Sequence, residues 1–543
     1  MVRRIFNQGK NTLFGSQESA LSAAVILAIS FFASALLGLV RDRSLAGIFG
    51  DSTELGVYFA ANRLPNVIFN LLVIGSLSSA LIPILSRYLK KGEEKSVWEV
   101  SNSLLNLNLV FFAILSVIII VFASPISNLI TLGKLDQEGL SLMTKITKIC
   151  LLSQLILIVS SFLSSILQTF KRFFVPALTP VVYNLGIIGG IYLLSGKYGI
   201  FAPAWGMVAG ALLHLLIQVP VAFALGYKPS LALDIKHQGV REVLKLLIPR
   251  TAGMAVNQLN LLVDTSLAVF VSAPSVIFFN FAQNLQNLPL NLFGVSFAQA
   301  ILPTLSHQGD DEDLNKFKKT VLNCLHQTFF FIVPASVVLI VLRVPAVRLA
   351  YGAAKFSWPA TLQTAYTLSF FAVSLFSQSL VYLFSRAFFA LCDTKTPLKA
   401  GLASFLLNIL LSIFFVTQLK FGVWGLGLSF TLSSFLNAGV LFFALDKKTG
   451  RFDRILLLSP ALKIFFSALL MGISLYVPLK LLDKVVFDTT RTINLLMLTA
   501  IVSFFGLTAY LVFSYIFKVE QLGLIKKGWL KIKLVLDKKE TSF

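Results

Sequence analysis

Runs of about 20 apolar residues, the length a helix needs to cross the hydrocarbon core of a bilayer, recur along almost the whole of this 543-residue chain. Nothing else in the sequence limits the fold so tightly. The runs show no period-2 alternation, which a membrane β-barrel strand of about 10 residues requires, so the spans are helices. They fall at 19–40, 53–85 with an interruption, 101–124, 143–168, 174–195, 201–225, 244–271, 275–303, 320–342, 360–390, 397–418, 422–445, 456–478 and 491–517, fourteen in all. With 56% hydrophobic and only 13% charged residues, the chain cannot hide its apolar side chains in a water-soluble core, and a soluble enzyme is excluded.

The formal charge of +22 would suit nucleic acid, but Lys and Arg are spread over short loops instead of forming one block. Their placement sets orientation. One side collects Arg87, Lys90, Lys91 and Lys95, then Lys447, Lys448, Arg451 and Arg454. The same side takes both ends, with Arg3, Arg4 and Lys10 at the start and Lys526, Lys527, Lys531 and Lys533 in the tail. The positive-inside rule therefore predicts both termini in the cytoplasm. Residues 1–18 read as a cytoplasmic segment too polar for a cleaved signal peptide, and 518–543 as a basic tail held against anionic lipid. Cys150, Cys324 and Cys392 are far apart, without CxxC spacing, so no disulfide framework or zinc site is expected.

The sequence also repeats itself weakly. Leu64-Pro65 and Leu288-Pro289 each open a segment that closes on Pro-x-Leu-Ser, at Pro83–Ser86 and Pro303–Ser306, with offsets of 224 and 220 residues. Phe170-Lys171-Arg172 leading to Pro176 matches Cys392–Lys395 leading to Pro397 at an offset of 221, and Gly206 matches Gly425 at 219. A unit of that length holds six spans, and an even number gives both copies the same orientation, as in carriers built from parallel repeats. The predicted organisation is an N-lobe over 19–225, a cytoplasmic linker over 226–243, a C-lobe over 244–445, and two added spans over 456–517 outside the duplication. Two such lobes are expected to enclose a central cavity. The prolines interrupt spans 2 and 8, and broken helices at membrane depth are tolerated only where they line protein or water.

There is no GxxxxGK[ST] phosphate loop, so ATP is not expected to drive the protein directly. The four histidines show no metal spacing, His214 reads as a hydrogen-bonded packing residue, and the Asp310–Asp313 run reads as a solvated loop. An enzyme is not expected. Ionisable groups within spans are costly and mark function by default. Asp264 is the one acid predicted inside a span; the basic candidates are Arg63, Arg250 and Arg41, the last at the outer end of span 1 beside Asp42. A guanidinium grips phosphate with two parallel hydrogen bonds, which makes these three the candidate substrate-binding set. The alternative is structural pairing, of Arg41 with Asp42 or of Asp264 with an arginine from another helix.

Taken in order, several motifs give the chain a family resemblance. They are Gly38-Leu39-Val40-Arg41-Asp42 with Ile48-Phe49-Gly50, Leu64-Pro65-Asn66, Ile82–Ser86, Pro249-Arg250 with Asn257-Gln258, Leu302-Pro303 with Leu305-Ser306, and Arg386–Ala390 with Asp393–Pro397. Over nearly its whole length the chain resembles the lipid II flippases (MurJ/MviN) of the multidrug/oligosaccharidyl-lipid/polysaccharide exporter superfamily. The resemblance implies two six-helix lobes, a lipid groove formed by the two extra spans, and alternating access that moves a polyprenyl-diphosphate-linked peptidoglycan precursor outward across the bacterial cytoplasmic membrane. Membrane potential, a sodium gradient or both would drive it, and cell-wall synthesis proteins are implied partners. For sodium, the resemblance points to Asp264, Asn408 and Thr431, with Ser412 where the family has an acid. The chain departs from the family's cationic pattern at Ser34-Ala35, Phe69-Asn70, Ile74-Gly75 and Gln283-Asn284. These departures suit a related exporter of another lipid-linked oligosaccharide or of an amphiphilic cation. A third reading, from a different class, is a non-transporting scaffold.

Overall fold

The computed structural model describes residues 20–74, 80–309, 314–485 and 491–524. Most of the basic termini, the Asp310–Asp313 run, Gly75 and the Arg250 side chain lie outside the described residues. Every regular element among the described residues is helical. Among the described residues, twelve helices are long and apolar enough to cross a membrane. They coincide with predicted spans 3 to 14, and two further helical passages cover spans 1 and 2, so the protein is an all-α multi-span membrane protein.

Contacts divide the chain into two compact units, Met1–Ile277 with Ala350–Ser357, and Phe278–Leu349 with Trp358–Phe543. A sequence repeat and a contact unit are different partitions: span 7 packs with the first unit although it opens the second copy of the duplication.

The first unit holds α1 (Ala20–Phe49), α2 (Thr53–Phe69), α3 (Ile82–Lys90), α4 (Glu94–Val121), α5 (Ala123–Ile130), α6 (Gln137–Thr169), α7 (Phe174–Tyr198), α8 (Phe201–Leu216), α9 (Val219–Ala224) and α10 (Gln238–Val271). Local sequence sets several of the starts. Ser52 accepts from the Leu55 amide at 3.2 Å to cap α2, and Asp136 accepts from Gly139 at 2.8 Å to cap α6, each satisfying a donor the helix cannot. Between α7 and α8 the packing is set by glycine. A Cβ on Gly186 would stand 2.3 Å from the Gly210 Cα, and one on Gly190 would stand 2.4 Å from the Gly206 Cα. Lipid gives helices no hydrophobic drive to associate, so backbones that approach this closely gain their cohesion from van der Waals contact. Ser357 donates to Asp51 at 2.8 Å, which helps tie 350–357 to this unit.

The second unit starts within α11 (Ser275–Pro289) and continues through α12 (Ser296–Gly309), α13 (Asn315–Val341), α14 (Arg343–Tyr351), α15 (Trp358–Ala390), α16 (Lys395–Ile413), α17 (Trp424–Thr449), α18 (Arg454–Val485) and α19 (Thr492–Ile516). The two added spans, α18 and α19, belong to its core. Met471, Leu475, Leu498 and Val502 are buried with Phe330, Phe384 and Phe388, and Tyr510 donates to the Phe330 carbonyl at 2.8 Å. At the other end of α17, Gly450 takes φ 81° and closes the helix, a conformation that glycine adopts without steric cost.

Both predicted interruptions are real, and they have a specific form. Past Pro65 the helix widens into a π turn at Asn70–Ile74; past Pro289 it widens at Leu290–Val295. Helix α2 stays α-helical through Pro65 to Phe69, whereas the π turn of span 8 starts directly after Pro289; single π turns of this kind inside helices are frequent at functional positions.

Candidate functional site

Helix α1 runs to Phe49, so Arg41 and Asp42 lie within it and not at the end of a span closing at residue 40. Asp42 is tolerated there because it is paired: the Arg41 guanidinium reaches its Oδ1 with Nη2 at 2.8 Å and Nε at 2.9 Å. Arg41 also donates from Nη1 to Asn184 Oδ1 on α7 at 3.2 Å, and Asn184 in turn donates to Ser34 Oγ at 3.2 Å and to the Pro180 carbonyl at 3.1 Å. Arg41 is thus wired into a network that crosses two helices, with 26% of its side chain still exposed.

Arg63 sits on α2, about two turns before the π segment. Its Nε donates to Thr265 Oγ1 on α10 at 2.9 Å, and Thr265 donates to the Leu261 carbonyl at 2.7 Å. Asp264, next to Thr265 and 1% exposed, places its negative charge within range of the guanidinium. An arginine within a span is expensive unless paired, and here span 7 supplies both a hydrogen-bond acceptor and a countercharge. Two residues that the sequence assigns to separate tasks, Arg63 to an anion and Asp264 to a cation, are electrostatic neighbours. Nearby, Gln154 donates to Asn66 Oδ1 at 2.7 Å, and Asn70 donates to Gln258 Oε1 at 3.4 Å.

Asn408 and Thr431 belong to the second unit, Asp264 to the first. Asn408 is fully buried and accepts from Ser433 at 3.4 Å, while Thr431 donates to the Phe370 and Gly427 carbonyls at 2.7 and 2.8 Å. Ser412 and Ser429 share a 2.5 Å hydrogen bond. These are neutral oxygens, so Asp264 is the one carboxylate of the predicted ion set. His214 is bonded to Ser160 and lies 3.3 Å from Gln218 Nε2, which agrees with a packing residue. Among the described residues no group of His, Cys, Asp and Glu could hold a metal ion.

Sequence reasoning missed Thr265 and Asn184, the partners that hold the two arginines. The available signal was their type and position: a polar side chain within an apolar span, Asn184 lying two residues from the close-contact Gly186.

The fold and these in-span charges define a multi-span helical carrier. Its fold is also that of an inward-facing multidrug resistance MATE family transporter of the MOP superfamily, at a TM-score of 0.62 and 15% identity, covering 79% of this chain and 99% of that one. A narrower family follows from the sequence. The family model described as lipid II flippase MurJ matches residues 45–495, and the chain belongs to that family. It is 27% identical to the lipid II flippase MurJ of Burkholderia cenocepacia over 78% of this chain and 83% of that protein. It is 28% identical to the probable lipid II flippase MurJ of Thermotoga maritima over 94% and 99%. A solved lipid II flippase MurJ in an inward closed conformation superposes with a TM-score of 0.76 at 30% identity, covering 91% of this chain and 98% of that one.

Proposed function

We propose that this protein moves lipid II, a polyprenyl-diphosphate-linked precursor, from the inner to the outer leaflet of the bacterial cytoplasmic membrane. The observation that carries this reading is the family match across residues 45–495. In this reading both termini are cytoplasmic, as the Lys and Arg bias requires, and the duplicated halves exchange access between the two sides. Arg63 is the principal contact for the diphosphate, because a guanidinium matches two phosphate oxygens at once. Arg41 and Arg250 supply further positive charge, and Arg41 is oriented by Asp42 and Asn184.

A headgroup with about two negative charges moving outward from a negative interior gains about 4–5 kcal/mol per 100 mV, so membrane potential alone supplies a useful drive. A sodium gradient is a second source. Asp264 offers a carboxylate, a hard donor of low charge that suits a monovalent ion.

The direct test is depletion of the protein followed by labelling of lipid II in each leaflet. Accumulation on the inner leaflet, reversed by the wild-type gene and not by Arg63→Ala, is the expected result. Unchanged outer-leaflet labelling after depletion refutes the proposal.

A further inference from the structure

Between α9 and α10 the chain runs from residue 227 to 234 without helix or turn and is laid along the first part of α4. Asparagines pin it there. Asn102 donates to the Lys228 carbonyl at 2.9 Å, Asn106 donates to the carbonyls of Ser230 and Ala232 at 2.7 and 2.8 Å, and Tyr227 donates to Asn102 Oδ1 at 2.8 Å. The Asp234 amide donates to Ser103 at 3.1 Å. The strap is therefore a built element, with the carbonyls of Lys228, Ser230 and Ala232 and the Asp234 amide committed to one helix face.

Its other face is apolar. Leu231, Leu233 and Ile235 are 94%, 50% and 51% exposed, and Lys228 and Lys236 flank them. In an aqueous loop such side chains would be unfavourable in contact with water. Beside the strap opens a cleft of about 330 Å³. Leu105, Leu109, Val159, Leu163, Leu215 and Val219 line it. Asn102, Asn106, Tyr227 and Ser230 line it as well. Along α4 the lining runs from Asn102 and Asn106 to Leu109, seven residues and about 10 Å beyond Asn102, so polar lining gives way to apolar along the direction of the span. That gradient matches one leaflet of a bilayer. Asn102 also lies toward the end of α4 that is next to Lys90, Lys91 and Lys95.

We propose that the strap and cleft form a binding site for one anionic phospholipid of the adjoining leaflet. One acyl chain fills the cleft, the phosphate lies at Lys228, and Leu231, Leu233 and Ile235 dip into the acyl layer. An amphipathic surface flanked by lysines holds anionic lipid by buried apolar area and by charge together. This inference is independent of the flippase reading and of the direction the protein faces.

Native mass spectrometry of the full-length protein, titrated with phosphatidylglycerol or phosphatidylcholine, tests it. One phosphatidylglycerol is retained in preference to phosphatidylcholine; Leu109→Trp, which fills the cleft, removes that adduct; and Lys228→Gln lowers its occupancy about fivefold, the worth of one lysine against an anionic leaflet. Equal retention of phosphatidylcholine, survival of the adduct in Leu109→Trp, or its displacement by a polyprenyl diphosphate overturns the proposal. Because the filled cleft could perturb folding, a second readout uses a fluorophore on Leu231→Cys in a Cys392→Ser background, the remaining cysteines being buried. In phosphatidylglycerol vesicles with brominated chains that label is strongly quenched; quenching no stronger than that of a label on exposed Lys91 overturns the insertion of the strap.

Discussion

Spans 2 and 8 are copies of one design with different contents. Each carries Leu-Pro followed by a π turn, at Asn70–Ile74 and at Leu290–Val295. In the first copy the residue before Leu-Pro is Arg63, held by Thr265 and facing the charge of Asp264. In the second copy that position is Asn287, and its neighbour Gln286 donates to Ser374 at 2.9 Å, a hydroxyl that also accepts from Gln378 at 2.7 Å. From Ser275 to Gly309 the second copy has no charged side chain at all. The comparison separates two things a duplication can preserve. The π turn recurs in both copies; the charge depends on single side chains and persists in one.

The sharpest way to break the comparison is through the packing beneath it. Gly190→Leu places a side chain where the Gly206 backbone already stands, and backbone cannot yield as a side-chain tip can. We expect no folded protein, read as loss of membrane-inserted material by size-exclusion chromatography. In the second unit, Gly427→Ala meets the Thr367 carbonyl at 3.2 Å, and the expected cost is about 1 kcal/mol or less, in line with a mild overpacking.

Next in size is transport. Arg63→Ala should lower lipid II translocation by about 10- to 100-fold, the worth of one or two charge-assisted hydrogen bonds, whereas Asn287→Ala, its counterpart in the repeat, should lower it less than about threefold. Equal losses in a flux assay with reconstituted protein would mean that both copies handle the headgroup. Asp264→Asn removes the countercharge while keeping the shape, and thermal unfolding should report a destabilisation of about 1–3 kcal/mol. Arg63→Ala combined with Asp264→Asn should recover part of that loss if the two charges stabilise each other.

The smallest effect lies in the turn before α16. Asp393 accepts from Lys448 at 2.8 Å and from the Thr396 amide at 3.0 Å, and its carboxyl is pushed down to about 2, chiefly by the hydrogen bond from Lys448. A carboxyl depressed in the folded state stabilises above its ordinary titration range and loses that contribution as pH falls toward 2. Hydrogen exchange at Lys395 and Thr396 should stay protected from pH 7 to about 5 and weaken only below about 4. Asp393→Asn should cost no more than about 1 kcal/mol, as for other partly exposed pairs.

Much of this was legible in the sequence, for physical reasons that differ by feature. Span number follows from run length, because lipid demands about 20 apolar residues per crossing. Leu64-Pro65 and Leu288-Pro289 mark the two spans in which these π turns lie. What the sequence could not disclose was partnership across distance: Arg41 with Asn184, 143 residues away, and Arg63 with Thr265, 202 residues away. Neither partner carries a charge that a pairing argument would seek. The Asn102 and Asn106 clamp on 227–234 was hidden similarly, because its acceptors are backbone carbonyls, which every residue has.

A π turn inserts one residue into a helical ladder, so everything beyond it is rotated by about a third of a revolution relative to an unbroken rod. A helical wheel drawn straight through Asn70–Ile74 would therefore assign the wrong neighbours to one end of the span. Cysteine crosslinks designed across this helix should be phased separately on either side of the insertion.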